Sequence, residues 1–266
     1  MITLLVLGHK GMLGNAIVKY FSQYPEKYSI LSVEERWGQP EFNKKLLSVH
    51  ADFIINCIGS IPQKHAAEPE KYKKLNIDLP IFLESLGCPI IHPSTDSEFL
   101  GSLPLGQKYK KNSVRDATNE YGKSKSFISE EIEKKFTNTR IIRVSIIGHE
   151  LSEKKFSLLE WVLSSKGQIR GYTNHYWNGV TTLEWAKICD QVIQNWERQP
   201  VLNQYGTEKI INKYDLVKLV AETYHHTNIT VEAYSTGEVV NKCLESDMVL
   251  PPIDEQLLEL KKFYGK

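Results

Sequence analysis

In Asn119-Glu120-Tyr121-Gly122-Lys123-Ser124-Lys125, a tyrosine and a lysine stand four residues apart where the sequence predicts a helix to begin. That spacing places Tyr121 and Lys125 on one helical face. A free phenol, with a pKa of about 10, is a poor acid–base group at neutral pH, but an adjacent ammonium stabilises the phenolate and lowers that value. A phenol tuned in this way can pass a proton to a carbonyl oxygen as hydride arrives at the carbon. A hydroxyl such as that of Thr95, in "HPSTDSEF", can hold the same oxygen. The spacing alone recurs by chance in many chains, so its meaning depends on the elements around it.

Those elements alternate. Short apolar runs, "ITLLVLG", "YSILSV", "ADFIINCIG", "CPIIHPST" and "TRIIRVSIIG", are separated by stretches of helical period near 12–23, 41–48, 69–86 and 122–136. The runs are rich in Ile and Val and lack clean alternation, as expected of strands covered on both faces. The pattern predicts an α/β fold, a doubly wound parallel sheet of Rossmann-like type, with a smaller C-terminal α/β cap for the substrate. Residues 1–150 form the expected dinucleotide-binding part and 151–266 mainly the cap, with the chain free to cross between them. Beyond residue 150, helices are expected near 153–166, 183–197, 213–226 and 253–264, with short strands in "EKIIN" and "NITVEAY". Pro80 is expected to kink the helix near 69–86. "PLGQKYKKNSVRDATN" and "GYTNHYWNGVTT" read as polar, aromatic-bearing loops of the kind that line binding sites.

The first strand runs into Gly8-His9-Lys10-Gly11-Met12-Leu13-Gly14, which opens a helix. Glycines here permit a tight turn, close approach of backbone to a pyrophosphate and close packing of helix on sheet. The helix start then offers free N–H groups and a positive dipole end. At the end of the second strand, Glu34 or Glu35 suits the ribose 2′-hydroxyl of NAD, whereas Arg36 suits the 2′-phosphate of NADP. These signals oppose each other, and "SVEERWG" also reads as an exposed charged turn. Because ligands of open α/β sheets bind beyond the carboxyl ends of strands, Thr95 and Tyr121 are expected to converge on the same cleft.

Composition narrows the class. The 266 residues are 41% hydrophobic and 24% charged, with 33 Lys+Arg against 32 Asp+Glu and a formal net charge of +1. That balance favours neither nucleic acid nor an anionic membrane. Cys57, Cys88, Cys189 and Cys243 are scattered without ligand spacing, so neither a disulfide framework nor a zinc site is expected. A brief apolar N-terminus without a basic leader, and no run long enough to span a bilayer, lead to a cytoplasmic expectation. His9, His65, His92, His149, His175, His225 and His226 share no metal-ligand spacing. Lys10 can touch a phosphate or remain solvated, Cys57 reads as a small residue beside the cofactor, and "EEIEKK" reads as a solvated helix face.

Taken in order, these motifs resemble an extended short-chain dehydrogenase/reductase, and most closely the dTDP-4-dehydrorhamnose reductase family. "LGHKGMLG", "INCIG", Leu75-Asn76, "STDSEFLG", "YGKSK" and "RVSIIG" carry the likeness. It implies a catalytic set of Thr95, Tyr121 and Lys125, with Lys125 also holding the nicotinamide ribose. It implies cofactor contacts at Gly8, Gly11, Met12, Leu13, Gly14, Cys57, Ile58, Gly59 and Asn76, with Glu34 and Arg36 near the adenosine ribose. It further implies a nucleotide-sugar site including Thr95, Ser97, Tyr121, Trp177 and Asn178. Trp177 reads equally as a packing residue. Ser97 stands where such reductases carry an aromatic residue, and it interrupts the Asp-Glu pair that 4,6-dehydratase relatives place after their Thr, leaving Asp96 and Glu98 to shape the pocket. The implied activity is reduction of a keto group on a nucleotide-activated, 4-keto-6-deoxy-type sugar by NADP or NAD, with a homodimer as one option. Two other readings share the likeness: a nucleotide-sugar epimerase, and a non-catalytic subunit such as the methionine adenosyltransferase regulatory subunit.

Overall fold

Strands β1 (Ile2–Leu7), β2 (Tyr28–Val33), β3 (Phe53–Asn56), β4 (Ile90–Ser94) and β5 (Thr139–Arg143) join the short strand Leu202–Gln204 in one six-stranded sheet. Its spatial order is Leu202–Gln204, β5, β4, β3, β1, β2, and every pairing is parallel. These are features of a computed structural model that describes residues 1–66 and 68–266.

Successive side chains of a strand point to opposite faces, and here both faces are covered. Leu4 and Val6 of β1 share one core with Ile55, Ile91 and Ile142, against Ile17 and Phe21 of helix α1 (Met12–Phe21). Leu5 and Leu7 share the other with Ile54 and Ile90, against Phe42 and Leu46 of helix α2 (Pro40–Ser48) and Leu79 and Leu83 of the helix Leu79–Glu84. Two-sided burial is why the apolar runs lack alternation.

The helix expected over 69–86 is divided into Pro69–Tyr72, a π-helical turn Lys73–Asp78, and Leu79–Glu84. Pro80 has no N–H for the carbonyl of Asn76 four residues back, and its ring would crowd that carbonyl. The turn widens there, and the N–H of Leu79 reaches back to Lys74 O.

After residue 150 the chain serves both parts of the molecule. Leu202–Gln204 pairs with β5. The helix Thr182–Gln194 lies beside α1, and its Asp190 accepts hydrogen bonds from the phenols of Tyr20 and Tyr28. The rest is built from the parallel pair Gly167–Tyr172 and Ile229–Tyr234, a small sheet of Ile211–Asn212, His175–Trp177 and Val240–Asn241, and the helices Leu158–Ser164, Lys213–Thr223 and Ile253–Phe263. Part of the segment expected to be a polar loop, "GYTNHYWNGVTT", is therefore strand. Helix Leu158–Ser164 begins later than expected, at an N-cap where Ser157 Oγ accepts from Glu160 N.

Between β1 and α1, Gly8 adopts φ +75°, and a Cβ on it would lie 2.9 Å from the Cys57 carbonyl carbon and oxygen. A Cβ on Gly14 would lie 2.2 Å from Gly8 O and 2.6 Å from His9 Cα, both backbone atoms that cannot swing aside. Gly14→Ala is expected to lower stability by about 1–3 kcal/mol through overpacking. Chemical denaturation checks this, and an unchanged midpoint would refute the close packing of helix on turn.

Candidate active site

Strand β1 has β2 on one side and β3 on the other, so the crossovers from it leave in opposite directions and open a crevice beyond its carboxyl end. The glycine turn lies there. Gly11 N donates to Gly8 O at 2.9 Å, and Met12 and Leu13 begin α1, where main-chain N–H groups have no intrahelical acceptor. Cys57 N donates to Leu7 O at 2.9 Å, which lays Cys57, Ile58 and Gly59 along the opposite side of the crevice. The three glycines let the turn pack tightly on Cys57 and on its own backbone, and the free N–H groups at the start of α1 then suit a dinucleotide pyrophosphate. Burial raises the Cys57 thiol far above its usual range, which keeps it a neutral lining group. At the end of β2, Glu34 pairs with Lys10 and with His9, the latter at 2.9 Å, whereas the exposed Arg36 has no ion-pair partner among the described residues.

Thr95 follows β4 and Tyr121 lies in the first turn of the helix Glu120–Lys135. Two features fix that helix start. Asn119 Oδ1 accepts from Gly122 N at 2.8 Å, and a Cβ on Gly122 would sit 2.3 Å from Ser97 O. The absent side chain lets the helix press on the turn Asp96–Glu98, bringing phenol and hydroxyl together. Against the lowering expected from Lys125, burial pushes the Tyr121 phenol well above its usual value, a push the Thr95 hydroxyl opposes. Tyr121 is therefore protonated at neutral pH, the state a proton donor requires. Lys125 is brought down to about 8 by burial, with the Glu98 carboxylate opposing the shift, and its Nζ donates to Pro93 O at 2.9 Å. Beneath it His92 is buried and held neutral by desolvation and by the Lys125 charge, with Nδ1 3.3 Å from Asn56 Nδ2.

Glu98 does not act as an acid–base partner of Asp96. It is fully buried, with Oε2 2.6 Å from Arg143 Nη2 and 2.7 Å from Arg115 Nε. Its Oε1 accepts from Ser129 Oγ at 2.6 Å and from Ser94 Oγ. With both oxygens occupied by protein, this carboxylate holds β4, the turn, the following loop, the helix Glu120–Lys135 and β5 in one arrangement. Asp96 is oriented differently, and its Oδ1 accepts from Thr95 Oγ1 at 3.1 Å. Ser97 Oγ lies 3.4 Å from the same oxygen, so it faces Asp96.

Three expected contacts are redirected. Asn76 is buried, with Oδ1 accepting from Ser60 N at 2.7 Å and Nδ2 donating to Ser60 O and Ser124 Oγ at 3.1 Å each. It ties the loop after β3 to the helix Glu120–Lys135 and positions the cleft wall through its backbone. Asn178 donates to Thr207 O and Leu244 O, at 2.9 and 2.8 Å, and accepts from Leu244 N at 2.9 Å. That leaves its amide engaged by backbone in place of substrate. Trp177 is 3% exposed and its indole N–H donates to Ser145 Oγ at 2.8 Å, which favours the packing reading. Residues the sequence reading passed over complete the site. Asn15 reaches Gly11 O at 2.8 Å and His149 O at 3.0 Å and receives the Tyr264 hydroxyl, pinning the phosphate turn to the C-terminal helix. Its one sequence signal is a polar residue at a buried helical position directly after the glycine turn.

Among the described residues no group of three or more His, Cys, Asp or Glu is placed to hold a metal, and no helix is long and apolar enough to cross a membrane.

A family model described as RmlD substrate binding domain matches residues 2–249. No curated protein matches the chain in sequence. The chain is similar to the structure of a dTDP-4-dehydrorhamnose reductase from Clostridium acetobutylicum, with TM-score 0.82, 16% identity and full coverage of both chains. It is similar also to the dTDP-4-dehydrorhamnose reductase of Bacillus anthracis in complex with NADP, with TM-score 0.81, 15% identity and 98% of each chain covered. A UDP-glucose 4-epimerase of Thermotoga maritima, with UDP-glucose, gives TM-score 0.77 at 14% identity over 99% of each chain. At such identities the likeness establishes a shared fold.

Because Arg143 is fully buried opposite Glu98, removing the carboxylate strands a guanidinium in the interior. Glu98→Ala is expected to cost about 3–5 kcal/mol and Glu98→Gln less, since the amide keeps some of the hydrogen bonds. Equilibrium unfolding of the two variants checks the order, and equal stability of Glu98→Ala and wild type would refute it.

Proposed function

Since the chain belongs to the RmlD substrate binding domain family, we propose that it reduces the keto group of a nucleotide-activated sugar with NADPH or NADH, serving assembly of a surface polysaccharide or glycoside. The observation that supports this reading is the hydrogen bond between the protonated Tyr121 phenol and the Thr95 hydroxyl, with Lys125 one helical turn on and donating to Pro93 O. The nicotinamide, when bound, supplies the hydride to the keto carbon. Thr95 orients the carbonyl oxygen, and the Tyr121 hydroxyl gives that oxygen its proton, so the ketone becomes an alcohol. The Lys125 ammonium then faces a tyrosinate, whose charge it stabilises until solvent returns the proton. Its hydrogen bond to Pro93 O holds the ammonium at the end of β4, in keeping with a second role toward the nicotinamide ribose.

The cradle of Gly8, Gly11 and Gly14, with Met12, Leu13, Cys57, Ile58 and Gly59 along it, supports dinucleotide binding. Glu34 favours the 2′-hydroxyl of NAD. Arg36, exposed and without an ion-pair partner among the described residues, and Lys10, paired with Glu34, offer cations for the 2′-phosphate of NADP, so the site supports either cofactor. The 4-keto-6-deoxy class of sugar follows the names of the reductases of like fold.

Stoichiometric oxidation of NADPH or NADH by a panel of nucleotide-linked keto sugars tests the reading. An epimerase would show turnover without net cofactor consumption. Tyr121→Phe is expected to lower kcat by about 10²–10⁴ while cofactor still binds. Full activity in that variant would sink the proton-donor role.

A further inference from the structure

Lys213 opens the helix Lys213–Thr223, directly after the N-cap Asn212, whose side chain accepts from Asp215 N at 2.8 Å. Its ammonium sits 5.1 Å from the centroid of the Trp177 ring. The pairing of Ile211 with Trp177 and Asn212 with Tyr176 fixes this placement, and the indole is anchored to Ser145 just beyond β5. Two strands and a helix start thus seat this side chain on the indole, and the attraction of Asp96, next to Thr95, ties it to that end of the cleft.

The charged neighbourhood is sparse. Asp96 attracts the ammonium from the turn after β4, and Cys243 lies near it on the segment after the strand Val240–Asn241. His175 feels its charge from the strand His175–Trp177 and is held neutral by burial and by that charge. Burial pushes the Cys243 thiol up to about 12, with Lys108 and Lys213 pulling it down, so it is uncharged. Asp96 shares an oxygen with Thr95 Oγ1. Burial lowers Lys213 to about 8, much as it lowers Lys125. Lys125, however, donates to a carbonyl, whereas no hydrogen bond or ion pair engages Lys213 among the described residues. Lys213 is half-buried, and the attraction of Asp96 and the face of the indole compensate only in part for the water its ammonium loses.

We propose that Lys213 is the oxyanion anchor of the substrate site: its ammonium, seated on Trp177, binds a phosphate or carboxylate oxygen of the nucleotide sugar and so sets the keto group against Tyr121. This deepens the reductase reading and rests on it. Trp177 thereby acts on the substrate through the lysine it supports. Lys213 is a positioning residue, and the two sources of its oxyanion are the diphosphate bridge and an acid group on the sugar.

Calorimetric titration of the whole protein, saturated with NADP, with UDP, dTDP, GDP, UDP-glucose and UDP-glucuronate tests the proposal. For Lys213→Met, affinity for at least one probe is expected to fall by about tenfold or more, the effect of losing one charge-assisted hydrogen bond. Lys213→Arg should stay within a few fold. A loss common to the diphosphates without sugar identifies the bridge, and a loss confined to UDP-glucuronate identifies a sugar carboxylate. Wild-type affinity should also decline as pH rises through about 8, where the free ammonium deprotonates, and this decline should vanish in Lys213→Met. A purely structural lysine would give no such pH signature, and thermal melting of the variant separates loss of fold from loss of charge. Equal binding by wild type and Lys213→Met overturns the anchor alone. Failure of every probe to bind wild type overturns the nucleotide-sugar reading and the anchor together.

Discussion

The buried pairing of Glu98 with Arg143 is the constraint on which the active-site geometry rests. Neither group reaches water, so each ion requires the other, and the two serine hydroxyls complete the shell of the carboxylate. Glu98 belongs to the turn that carries Thr95, Arg143 ends β5, Ser129 lies on the helix Glu120–Lys135, and Arg115 comes from the polar loop. With Ser94 of β4, one carboxylate therefore fixes five pieces of chain relative to one another. Rotation of any of them would strand a charge, which is a steeper penalty than loss of apolar contact alone.

Around this centre the fold divides its tasks. The parallel sheet, buried on both faces, presents rigid strand ends, and the change of direction at β1 leaves room between them. The polar loop after β4 is fastened to the remainder of the chain at both ends. Arg115 enters the Glu98 cluster, while Asn241 donates to Pro104 O and Gln107 O, at 2.8 and 3.0 Å, and Lys108 donates to Glu208 O at 2.7 Å. A loop that looks free in sequence is held as a wall of the cleft. Asn178 does similar work within the cap, where its amide joins the backbones at Thr207 and Leu244.

Much of this was legible because it is local. The glycine turn, the run of βα units and the four-residue step from Tyr121 to Lys125 are short-range patterns, and the structure places them at the same strand ends. The widened turn at Lys73–Asp78 is half-legible, since Pro80 announces a disturbance without choosing between a kink and a π-helical turn. Short strands such as Leu202–Gln204 and His175–Trp177 were not legible. A strand of three residues has too little sequence to show a period, and its pairing partner lies far away in the chain.

By itself the sequence determined the class of sheet, the glycine turn after the first strand and the four-residue step from Tyr121 to Lys125 on one helical face. Each follows from backbone sterics or helical spacing within a few residues. Tertiary structure alone decided how the polar side chains are employed. Glu98, Asn76 and Asn178 have the chemistry to touch a ligand, yet partners distant in sequence engage their hydrogen bonds. Lys213 carries the same ammonium as any surface lysine, and only its seat on Trp177, without a hydrogen bond or ion pair among the described residues, sets it apart. The reason is physical: what a polar group does depends on whether its hydrogen bonds and charge are already satisfied, and in a folded chain that is settled by neighbours the sequence does not place beside it.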